Sequence, residues 1–187
     1  MGLLDPINPL GESGIDVLVC GPVCSRRPDP GTLRTGGRPP CTVVLDREDD
    51  VQFTRTALAS HRPAAGRIVV HPTVAPSDRL LWHDLLQTLG TRHAARASRE
   101  EQERAVRTAL DAAGPCQVTV LRAHRLGLGR WADLVHLHRT TRADLVLHHA
   151  ELPDRLAHLL RHCDHRIVDT FTAMAQLHPP APKLPAP

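Results

Sequence analysis

Between residues 41 and 177, short β-branched runs alternate with longer stretches in which apolar residues recur every three or four positions. The runs 41–46 (CTVVLD), 67–71 (RIVVH), 117–121 (QVTVL) and 144–148 (DLVLH) predict strands. Ile167-Val168 begins a last short strand or helix. Helical spacing places Val51, Phe53, Ala57 and Leu58 on a helix within 49–61, stopped by Pro63. Leu80, Leu81, Leu85, Leu86 and Leu89 predict a second helix over 78–89, capped by Ser77 and closed by Gly90. Ser98 with Glu101 forms a capping-box pattern ahead of a helix that ends at Gly114-Pro115. Further helices follow over 130–139, carrying Trp131, Leu134, Val135 and Leu137, and over 152–161. Strands that alternate with helices of this length predict a three-layer α/β sandwich with a mainly parallel sheet.

The flanks read differently. Residues 1–14 are rich in Gly, Pro and Asp, 15–20 alternate as a strand, and 21–40 are dense in turn formers. The strands 15–20 and 41–46 predict a wide hairpin, so the chain divides into an N-terminal arm with a hairpin (1–48), an α/β domain (49–177) and a disordered proline-rich tail (178–187).

Composition narrows the function classes. The chain has 187 residues, 41% apolar but only 2% aromatic, so its core must be built from aliphatic side chains. All but one of its 23 basic residues are arginine, a bias that a GC-rich bacterial genome explains without nucleic-acid binding. The formal charge of +3 is mild and the signs are interleaved, as in ARASREEQERAVR, which reads as a solvated helix face. No apolar run reaches the ~20 residues of a membrane span. MGLLDPINPL lacks a signal-peptide pattern, and five scattered cysteines suit reduced thiols. The expectation is a soluble cytoplasmic protein.

With the elements placed, residues 49–168 resemble the core of an AAA+ P-loop ATPase, most nearly the TniB-type transposition ATPases. The likeness is carried by VVHPTVAPSDRLLWHDLL, VTVLRAHRL, ADLVLHHAELPDRL and HRIV. A phosphate loop needs glycines whose amides cradle phosphate, a lysine to neutralise it and a hydroxyl for magnesium. Registered on the helix over 78–89, the resemblance puts Pro72 and Ser77 at glycine positions, Asp78 at the lysine and Arg79 at the hydroxyl. The metal-binding and water-activating acids fall on Leu121 and Arg122, and no lysine precedes Lys183. The resemblance therefore implies a pseudo-ATPase with no nucleotide, metal or other cofactor. In that remnant pocket Arg122 either pairs with Asp78 or joins Arg79 in holding an anion.

His124 matches an architectural histidine of that family, and His148 and His149 stand where its γ-phosphate sensor would be. Cys20, Cys24 and Cys41, with the cluster His162-Cys163-Asp164-His165, are zinc candidates, although their spacing fits no marked finger pattern. The expected function is a non-catalytic regulatory or adaptor protein. Its expected partner is another protein, either an active AAA+ ATPase or a second copy of itself, and not a membrane. The alternative is a DNA-associated accessory protein of a transposition or defence system, with residual nucleotide or anion binding.

Overall fold

The computed structural model describes residues 40–73, 80–91, 97–114 and 116–179. In chain order the elements are β1 (Cys41–Leu45), α1 (Val51–Ala59), β2 (Arg67–Val70), α2 (Leu80–Thr88), α3 (Arg99–Ala113), β3 (Gln117–Val120), α4 (Leu128–Thr140), β4 (Asp144–His149), α5 (Asp154–Leu160), β5 (His165–Val168) and α6 (Phe171–Leu177). Short 3-10 turns occupy Pro63–Ala65 and Ala123–Arg125. The five strands form one all-parallel sheet in the order β2-β3-β4-β1-β5.

Strand alternation sends side chains to two faces, and the core splits accordingly. Cys41, Val43, Val118, Val120, Leu145 and Leu147 face the larger cluster, built with the apolar stripes of α2, α3, α4 and α5. Val44 and Val146 face Phe53 of α1 and Met174 of α6. Ala57 of α1 reaches further, to Val69 and Leu121. Helices thus cover both faces, as an all-parallel sheet requires. No helix among the described residues is long and apolar enough to cross a membrane.

The predicted capping box forms. Ser98 Oγ accepts from the Glu101 amide at 3.2 Å, and a Glu101 carboxylate oxygen accepts from the Ser98 amide at 2.7 Å. Replacing Ser98 with Ala is expected to destabilise the protein by about 1 kcal/mol, read from urea melts.

Sequence-based expectations need correction at both ends of the domain. Cys41–Leu45 belongs to the sheet, paired with β4 on one side and β5 on the other, so neither edge is left for a hairpin with 15–20. Residues 15–20 themselves lie outside the described residues. The α/β unit therefore begins at β1 and not at residue 49. At the other end His178, placed in the tail by its prolines, is 2% exposed and bonded to the domain. Finally, α6 was not legible as a separate helix. Its seven residues, FTAMAQL, carry Phe171, Met174 and Leu177 at three-residue spacing toward Phe53, but two turns are too short for the pattern to stand out.

Candidate functional site

Open α/β sheets form a crevice at the carboxyl ends of adjacent strands whose connections leave in opposite directions. Here that point lies between β1 and β4. From β1 the chain crosses on the α1 face to the far edge, β2. From β4 it crosses on the opposite face, through α5, to β5. The crevice at this point is lined by Asp46, Asp49, Thr54, Leu121, Arg122, His124, His148, His149 and Ala150. It is half open to solvent, and the free space within it is about 10 Å³.

The β1–α1 loop, Asp46-Arg47-Glu48-Asp49-Asp50, sets four carboxylates against one guanidinium and contains no glycine or lysine. Its acids hold the loop together. Asp46 Oδ1 accepts from the Asp50 amide at 2.8 Å, and Asp50 Oδ1 caps α1 by accepting from the Gln52 amide at 2.8 Å. The Asp46 amide donates to the His149 carbonyl at 2.8 Å, tying the loop to β4. Burial raises the Asp46 pKa above the usual carboxylate value. Asp49 and Asp50 add to that rise, while the Asp50 amide and Arg122 oppose it.

Arg122 crosses from the end of β3 to this loop. Its Nε donates to Asp49 Oδ1 and its Nη2 to Asp49 Oδ2, both at 2.9 Å, a two-pronged contact. Among the described residues the only non-glycine positions with positive φ are these two, Asp49 at 49° and Arg122 at 48°. The left-handed conformation costs an L-residue about 1–2 kcal/mol. The Asp49 side chain is 42% exposed, so water screens the ion pair and its contribution stays at or below about 1 kcal/mol. Replacing Arg122 with Ala, which drops the pair and keeps the strain, is expected to destabilise by about 1 kcal/mol. Replacing it with Gly, which drops both, is expected to leave the urea midpoint close to wild type.

Successive histidines at the end of β4 point to opposite faces. His148 enters a buried relay on the α1–α6 side. Ser60 Oγ lies 2.6 Å from the Ala57 carbonyl and donates to it, so it accepts from His178 Nδ1 at 3.0 Å. That tautomer leaves His178 Nε2 to accept from His148 Nε2 at 3.4 Å. Burial, with His178 nearby, lowers the His148 pKa to about 3. Burial, then the charge of Arg67, lowers His178 to about 4. His149 faces α4, its ring 5.3 Å from Trp131 and 5.7 Å from His124. It is 3% exposed, and neither ring nitrogen has a hydrogen-bond partner. Burial and then His124 lower its pKa, and these outweigh Glu151, whose backbone and charge act the other way without completing a hydrogen bond.

The sequence-predicted site residues separate in space. Leu121 and Arg122 do line the crevice, but Leu121 is a core residue, 1% exposed, whose side chain packs under α1. Pro72 follows the edge strand β2, is buried and does not line the crevice. Just beyond it, the Thr73 amide and hydroxyl donate to the Asp84 carboxylate at 2.8 and 3.1 Å, tying the start of that loop to α2. Ser77, Asp78 and Arg79 lie outside the described residues. Arg122 is held by Asp49. A strand–loop–helix unit, β1 to α1, meets the crevice at 46–50. The overlooked signal was the unit itself, a β-branched run followed by an Asp-capped helix.

Cys41 is fully buried in the larger core cluster, and burial, with Cys163 nearby, pushes its thiol up to about 12. Cys20 and Cys24 lie outside the described residues. Among the described residues no group of three or more His, Cys, Asp or Glu is placed to hold a metal. Compared with protein-family models and with curated proteins, the chain matches none.

Proposed function

We propose that the protein is a non-catalytic regulatory or adaptor protein, an AAA+-like α/β domain that acts through its surface and does not hydrolyse ATP. The observation that carries this reading is the chemistry of the crevice. At the point where an open α/β sheet offers its ligand site, four carboxylates occupy the loop where phosphate would need amides and a lysine. The nearest guanidinium, Arg122, is already bonded on two oxygens by Asp49. The free space within the crevice is about 10 Å³. The partners this reading implies are an active AAA+ ATPase or a second copy of the chain.

A thermal melt with and without magnesium-ATP tests the reading. A ligand that binds only the folded state at 100 times its Kd stabilises it by about 3 kcal/mol, a readily measured rise in Tm. The expected result is no rise. A dose-dependent rise that requires magnesium would overturn the reading.

A further inference from the structure

We propose that β5 is a self-association edge, through which two copies join their sheets antiparallel about a two-fold axis at Ile167. The inference deepens the adaptor reading by naming a second copy as partner. A monomeric result would leave that reading's nucleotide test untouched.

Among the described residues the sheet ends at β5, with nothing paired beyond it. Most strands of an all-parallel sheet are buried, yet His165, Arg166 and Ile167 are exposed, Ile167 at 47%. The direction of the free backbone groups follows from β1. The Cys41 amide donates to the Asp164 carbonyl at 2.8 Å, so alternation turns the peptide groups of Arg166 and Val168 toward β1 as well. Those of His165 and Ile167 point outward, an open ladder of the kind that recruits another strand.

The side chains argue that the recruited strand is this one. In an antiparallel pair centred on Ile167, Ile167 meets its own copy as a hydrogen-bonded pair, with both outward peptide groups satisfied. The same register sets His165 opposite Asp169 of the other copy, twice by symmetry, on the same face and flanking the isoleucine pair. Moving the axis to Arg166 would set His165 against Ile167. Moving it to His165 would set two histidines together. That register also sets Asp164 against Arg166, but Arg166 Nε is already bonded to Thr42 Oγ1 at 2.9 Å, whereas the axis at Ile167 pairs isoleucine with isoleucine and His165 with Asp169. On the opposite face, Phe171 stands 43% exposed beside the edge, its ring 5.5 Å from Phe53, adding apolar surface next to the seam.

Sedimentation equilibrium on the full chain tests the proposal, with Ile167→Pro, Asp169→Lys and the double variant His165→Glu/Asp169→Lys. Proline at 167 removes an outward amide that the fold itself does not use. The expected result is a reversible wild-type dimer whose Kd rises about tenfold or more in Ile167→Pro and in Asp169→Lys, and recovers in the double variant. The last two variants decide the matter if Ile167→Pro does not fold. A wild-type monomer would overturn the proposal, as would a dimer indifferent to both charge variants. A monomer whose His165 and Ile167 amides resist hydrogen exchange would also overturn it, by assigning the edge to another segment of the chain.

Discussion

Acidification from about pH 7.5 to about pH 4.5 is expected to remove about 5 kcal/mol of folding stability through His148 and His178 alone. Both are buried and held neutral, with folded pKa values near 3 and 4 against an ordinary 6.5. The unfolded chain therefore binds more protons than the folded one between these values. The stabilising contribution is complete above pH 6.5, falls as the pH drops through the window, and is spent near pH 4 for His178 and near pH 3 for His148. His149, also lowered, acts in the same direction, whereas Asp46, whose pKa is raised, offsets part of the loss. The predicted loss rivals the whole stability of a small domain. Urea melts across this pH range check it. The double variant His148→Leu/His178→Leu should flatten the profile, because Ser60 keeps its bond to the Ala57 carbonyl when both rings are gone.

Replacing Trp131 with Ala is expected to destabilise by about 3–5 kcal/mol, and with Phe by about 1–2. Trp131 is 8% exposed, packs in the larger core cluster and braces the His149 ring. Its indole Nε1 donates to the Ala123 carbonyl at 2.8 Å, which fixes the 3-10 turn that carries His124. Alanine loses the packing, leaves a cavity beside the crevice and removes one of the two hydrogen bonds that the Ala123 carbonyl accepts, the Leu126 amide keeping the other at 3.0 Å. Phenylalanine loses mainly the hydrogen bond. Denaturant melts of the two variants separate these terms.

The legible part of this protein was local. The Ile-Val-Val run, the Ser98–Glu101 pair and the leucine stripes of α2 and α4 each reported an element that formed, because propensity, capping and periodicity act within a few residues. Strand order does not act locally. The sequence shows two strand–loop–helix units, one at Cys41–Ala59 and one at 67–89, with nothing nearby to say which lies at the centre of the sheet. The second, apolar and proline-marked, looked the better site and follows an edge strand. The first, acidic and beside turn formers, looked like an arm and sits where the crossovers part. The crevice histidines were noticed singly, but the relay from His148 through His178 to Ser60 joins residues more than 100 positions apart at its longest step. His178 sits at the head of a proline-rich stretch, so its burial could be learned only from the fold.

The strained pair Asp49 and Arg122 shows the same limit. Each is an ordinary charged residue in the sequence, and only the sheet brings the ends of β1 and β3 close enough for one to hold the other. Strain of this kind gathers where surrounding structure over-determines a backbone. Here it lines the crevice with a carboxylate and a guanidinium that neutralise each other.

Isothermal titration of the full chain with ATP and with ADP, each with and without magnesium, tests the central claim most directly. An acid-lined crevice whose guanidinium is paired with Asp49 predicts no saturable heat with either nucleotide under either condition. Micromolar binding that depends on magnesium would contradict it.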